Sequence, residues 1–178
     1  MLIMRQLARL ATLITAAVFL GSCAQPRTVA FEEAAFARYG KSGSGTVTGT
    51  AFLAIAEHNV ITAGDSKSAV KLMPANAYTD EVVTKHYQTN EMIEPADPRF
   101  KKYVRKTYSD GAGHFAFHRV PPGVYYVSCD LAWLVPSTYT DSNGTISATS
   151  DAITHWIYKK ITLGDGQTVR VESWDNPF

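Results

Sequence analysis

The sequence is short of the features that announce a function. It has no run of lysine and arginine, and its formal charge is only +1, from 17 basic and 16 acidic residues. A nearly neutral body carries no electrostatic footprint for nucleic acid and no basic membrane-surface patch. No apolar run reaches the ~20 residues that a spanning helix needs. No repeat period, nucleotide fingerprint, Gly-x-Ser-x-Gly or Ser-x-x-Lys occurs, so nucleophilic catalysis has no signature. Of the five histidines, His114 and His118 stand four apart, on a stretch that reads as a strand. At ~3.3 Å per residue that spacing is about 13 Å, too far to chelate one zinc. A calcium loop is limited to the two-ligand fragment at Asp141 and Asn143, which reads as a turn. Hence no metal, cofactor or catalytic residue is expected. Cysteine is scarce as well: there are two, Cys23 and Cys129.

What is present begins with a leader. Residues 1–22 open with Arg5 and Arg9, continue through an apolar run over 10–20 broken only by Thr12 and Thr15, and end in Gly21 and Ser22. This is the layout of a cleaved secretory signal helix. The leader takes two of the basic residues and no acid, leaving the rest with one net negative charge. Leu20, Gly21, Ser22 and Cys23 together resemble the lipobox of bacterial lipoproteins. The resemblance implies cleavage between Ser22 and Cys23 and lipid on the Cys23 sulfur. Several acyl chains, at ~0.8 kcal/mol per buried CH₂, anchor stably where one would be marginal. Ala24, where an Asp tends to retain such proteins at the inner membrane, favours the outer membrane, facing the periplasm or the outside. A thioether at Cys23 would leave Cys129 without a disulfide partner, as a buried thiol.

The body reads as strands. Residues 23–45 end in Gly40-Lys41-Ser42-Gly43-Ser44-Gly45, a flexible-linker composition, so this segment is expected to be a lipidated tether. From Thr46, short β-branched and apolar runs alternate with glycine turns: 46–56, 59–62, 69–73, two strands within 103–135, then 153–163 and 167–173. Apolar content of 46% supports a packed core. Phe115, Phe117 and Arg119 share one face by period two, as do Tyr125, Val127, Cys129, Leu131, Trp133 and Val135. Residues 75–100 interrupt the rhythm with a helix signal, Thr79-Asp80-Glu81, and Pro95 and Pro98 close it. That insertion is expected on a sheet edge, and residues 138–151 as a polar loop around Asn143-Gly144 or a long hairpin tip. The expectation is all-β: a sandwich of about seven strands over 46–178, with a short helical insertion.

The block at 109–127, SDGAGHFAFHRVPPGVYYV, carries a more specific signal. With Thr107, Asp110, Gly113, Phe115, Phe117, Pro122, Gly123 and Tyr125 in place, it resembles the carboxypeptidase regulatory-like domain, whose first strand is similar to Gly45-Thr46-Val47-Thr48-Gly49-Thr50-Ala51 here. The resemblance implies a transthyretin-like sandwich that is mostly non-catalytic, a spacing or ligand-presenting module. Enzymes on that sandwich depart from this chain. Intradiol dioxygenases use a His-x-His pair, and no two histidines here are two apart; hydroxyisourate hydrolases end in Tyr-Arg-Gly-Ser, and this chain ends in Trp174-Asp175-Asn176-Pro177-Phe178.

Two tryptophans, Trp156 and Trp174, are the candidate binding surface, for sugar stacking or protein docking; Trp133 reads as core. Trp174 and Phe178 could instead cover a sheet edge. The leading expectation is a lipid-anchored envelope protein with a structural, assembly or binding role, whose partners are the membrane through its lipid and an envelope protein or glycan. A glycan-binding module, a lipoprotein subunit of a secretion machine, and an enzyme with an unrecognised site near Asn143 or the 75–100 insertion remain alternatives.

Overall fold

The computed structural model describes residues 24–56 and 59–175, without the side chains of 55, 56 and 59. Leu20, Gly21, Ser22, Cys23, His58 and Phe178 therefore lie outside the described residues. Nine strands are described: β1 (Gly45–Thr50), β2 (Phe52–Ala56), β3 (Asn59–Thr62), β4 (Ala69–Pro74), β5 (Arg105–Tyr108), β6 (His114–Val120), β7 (Gly123–Thr140), β8 (Ile146–Leu163) and β9 (Thr168–Val171). One sheet has the order β6-β1-β9, with β1 antiparallel to β6 and parallel to β9. The other has the order β5-β4-β7-β8 and is antiparallel throughout. β2 and β3 form a separate hairpin.

The expected alternation drives the packing. Val47, Phe115, Phe117 and Val171 of the first sheet join Val70, Leu72, Val127, Cys129, Leu131 and Ile157 of the second in one buried cluster. The strand count of about seven is corrected to nine, chiefly because 46–56 is not one strand. At fully buried Ala51 the N–H donates to Gly113 O (2.9 Å) and the carbonyl accepts from Ala63 N (2.9 Å). The chain thus leaves the β1 sheet there and enters the β2–β3 hairpin. Parity also fails once. Arg119 adopts φ 53°, a bulge that turns its side chain to solvent and returns Val120 to the core, fully buried.

The insertion packs on a sheet face rather than the expected edge. Its helix, Ala77–Val82, starts earlier than the Thr79 signal suggested, because Asn76 caps it, accepting from Tyr78 N and Thr79 N at 3.1 and 3.3 Å. A π-helical turn, Val83–Gln88, follows, and later a 3₁₀ turn, Pro98–Tyr103. The face is the side of β7 and β8 opposite the core, where Tyr126 and Tyr158 project. Tyr126 Oη donates to Asp80 (2.5 Å), Gln88 Nε2 donates to Tyr158 Oη (3.0 Å), and the Tyr87 and Tyr158 rings lie 5.8 Å apart. Polar tips on aromatic bodies let the layers join with the Tyr126 and Tyr158 hydroxyls paired.

The segment read as a tether belongs to the fold. A helical turn, Glu33–Phe36, inserts Phe36, fully buried, against Tyr103 (5.2 Å, stacked) and Phe100 (5.4 Å, edge-on). Tyr39 packs edge-on against Tyr125 at 5.2 Å. The linker-like glycines at 40–45 mark close approach rather than freedom: a Cβ on Gly43 would meet Val120 O at 2.3 Å. Glu81 of the insertion's helix fastens the segment further, accepting from Thr28 N and Thr28 Oγ1 (both 2.7 Å), Val29 N (3.3 Å) and Lys85 Nζ (3.1 Å). Desolvation pushes its carboxyl up, but these donors outweigh it and hold the pKa at about 2. A depressed folded-state pKa adds stability above the unfolded value, 4.5, and loses it as pH falls toward 2. We therefore expect Glu81→Gln to cost about 1–2 kcal/mol at pH 7, since it removes the charged acceptor that four part-buried donors share. In urea unfolding against pH, that gap should close between pH 4.5 and 2; a gap independent of pH would refute the role.

Residues 138–151 turn out to be paired strand at both ends. β7 and β8 pair without a break from Gly123↔Leu163 to Thr140↔Ile146. Asp141 Oδ1 closes the tip, accepting from Asn143 N (2.9 Å) and Thr145 N (2.8 Å), with Gly144 at φ 81°. Leu134, Tyr139 and Ile146 on this arm are exposed.

Candidate functional site

Trp156 lies on β8 across from Asp130 of β7, on the face that the insertion covers. The π-helical turn widens the backbone there and brings His86 against the indole, ring centroids 4.6 Å apart, with Tyr87 edge-on at 6.4 Å. The turn is closed by Thr89 Oγ1 donating to Lys85 O (2.7 Å) and Glu91 N donating to the same carbonyl (2.8 Å). Asn90, between them, takes φ 54°, a left-handed conformation that Asn tolerates. A shallow cleft of about 250 Å³ results, walled by Asn90, Thr154, His155 and Trp156. Asp130 is matched by Lys71 Nζ at 2.5 Å. The wall is thus one half-buried indole with an amide and a hydroxyl, the His155 ring lying on the opposite strand face beside Trp133, and it is suited to a neutral ligand offering an apolar face and hydroxyls.

A second concavity, about 340 Å³, opens between the insertion and β4. It is lined mainly by Met73, Val82, Met92, Ile93, Pro95 and Phe100.

The structure separates the two tryptophans that sequence reading paired. Trp174 Nε1 donates to Thr50 O (2.7 Å) and its ring lies 6.0 Å from Phe115, so it plugs the sandwich. Asp175 then bridges to Tyr158, its N–H donating to Tyr158 O at 2.8 Å, and covers the edge of β8. Trp133 is half-buried against the core, its ring 5.3 Å from His155. Cys129 is fully buried, and desolvation pushes its thiol to about 12, which makes it a poor nucleophile. His114 and His118 are exposed on β6, and His114 Nδ1 meets Asp110 Oδ2 at 3.0 Å. Among the described residues no three His, Cys, Asp or Glu side chains are grouped to hold a metal. Sequence reading missed His86, Asn90 and Thr154. Thr154 is two residues from Trp156 and shares its strand face, a signal that period two could have supplied; the loop residue Asn90 had none.

No protein-family model matches this chain, and no curated protein matches it. Among solved structures it is similar to one from Pseudomonas aeruginosa described as a "putative carbohydrate binding protein". The match has a TM-score of 0.58 and 24% identity, and covers 82% of this chain and 99% of that one. At that identity the likeness is one of fold: this chain and the Pseudomonas protein share a β-sheet architecture over nearly all of the latter's length.

Proposed function

We propose that this chain is a lipid-anchored, non-catalytic protein of the bacterial cell envelope that binds carbohydrate against Trp156. The observation that carries the binding reading is the cleft itself, an indole edged by Asn90 and Thr154. Aromatic faces stack on the apolar C–H face of a sugar ring, while amide and hydroxyl groups pair with its hydroxyls. The description of the Pseudomonas neighbour supports the same ligand class. The anchor reading is supported by Leu20, Gly21, Ser22 and Cys23 directly after an apolar core, and the outer membrane by Ala24. The motif around Gly113, Phe115, Phe117 and Tyr125 supports a carboxypeptidase regulatory-like, transthyretin-like module that presents a ligand rather than transforming it. The inert environment of Cys129 agrees with that.

A glycan array followed by titration calorimetry tests the binding reading. The wild-type body should bind a subset of glycans. Trp156→Ala should weaken that binding tenfold or more, about 1.4 kcal/mol, and Trp156→Phe should lose less. Equal binding by Trp156→Ala, or no binding by wild type, would remove carbohydrate from the proposal.

A further inference from the structure

The chain arrives at the folded body with almost no slack. Gln25 is bridged in parallel to Ile93: its N–H donates to Met92 O (2.7 Å) and its carbonyl accepts from Glu94 N (2.9 Å). Arg27 Nε then donates to Glu94 O at 3.1 Å, and Thr28 is held by Glu81. Gln25 is two positions from Cys23, with only Ala24 between them, and two residue steps span at most ~7 Å. The headgroup layer of one leaflet is itself about 5–7 Å thick. A body bridged at Gln25 therefore cannot stand off a bilayer that holds lipid on Cys23.

We propose that the body docks directly on the bilayer, with the face formed by residues 91–96 against lipid. This rests on the lipid-anchor reading of Cys23. The chemistry of the face fits a lipid surface. Met92, next to the bridge, is 65% exposed, and Met92, Ile93, Pro95 and Ala96 line the apolar cavity opening there. The charged groups around it are mixed: Arg27 bonds to Glu94, Lys85 pairs with Glu81 at 3.1 Å, and His86 Nδ1 lies 3.4 Å from Glu91 O. Contact is therefore apolar rather than electrostatic, and it holds in high salt. The consequence is a fixed orientation, in which the lipid sets the attitude of the sandwich as well as its location.

The test uses the full-length lipidated protein carrying Met92→Cys, labelled with the environment-sensitive dye NBD. Cys129 is fully buried and does not compete for the label. Asn143→Cys, at the hairpin tip, is the control. Intact mass first establishes the lipid, and the protein is then reconstituted in phosphatidylethanolamine–phosphatidylglycerol vesicles. Expected are a blue-shifted emission several-fold brighter at position 92, quenched by doxyl lipid and unaltered by high salt, with a water-like signal at 143. A lipidated, vesicle-bound protein whose position 92 reports water would overturn docking and leave the anchor standing. A mass without lipid would overturn both.

Discussion

Phe36→Ala should cost about 3–5 kcal/mol, among the largest losses available to a single side chain in this protein. The ring is fully buried between Tyr103, Phe100 and Tyr78, with Phe31 stacked on it at 5.1 Å. Truncation leaves a void among rigid rings that cannot collapse into it, since each also packs on a neighbour. A domain of this size gains only about 5–15 kcal/mol from folding, so the variant would keep little reserve. Urea or thermal unfolding of the soluble Cys23→Ser protein reads the effect directly, as a drop in melting temperature of roughly 10 °C. A loss below about 1 kcal/mol would mean that residues 24–40 are the tether their composition suggests.

The second large effect is on location. If the proposed lipid on Cys23 is the anchor, at ~0.8 kcal/mol per buried CH₂, then Cys23→Ser should abolish membrane partitioning of the chain. The apolar face at Met92 is too small to hold the body on a bilayer unaided. Wild type should give a mature mass that starts at Cys23 and is heavier by its lipid, and should enter the detergent phase. The variant should stay in the aqueous phase. An unmodified, soluble wild type would make Cys23 an ordinary residue and the leader a plain secretory signal.

The two variants probe regions of very different legibility. The β6–β7 block was readable because its constraints are local. Gly113, at φ 85°, supplies the positive φ that its turn demands. Phe115 and Phe117, each 5% exposed, follow from strand parity alone, and the same parity buried Cys129. Phe36 was not readable. Its neighbours in sequence are small and charged, and the six residues over 40–45 have the composition of a linker; what buries it is Tyr103 and Phe100, far along the chain. Composition reports the freedom a segment would have alone, not the partners that remove it. Arg119 shows the same limit within a strand, where one left-handed residue reversed the parity that its sequence implied.

The candidate site divides likewise. Trp156 could be singled out by residue type, but its pairing with Trp174 could not survive folding, because the two side chains serve different layers. The π-helical turn that sets His86 and Asn90 beside Trp156 depends on Tyr87 packing against β8, a contact between distant segments.

By itself, then, the sequence determined the strand-rich class, the hairpin turns, the faces of β6 and much of β7, and the motif at Cys23, because each is settled within a few residues by backbone sterics, side-chain period or a short chemical pattern. Only the tertiary structure decided that the insertion lies on a sheet face, that residues 24–45 belong to the domain, and that the Trp156 cleft and the Met92 face exist. Those depend on long-range burial, where apolar area removed from water outweighs local preference.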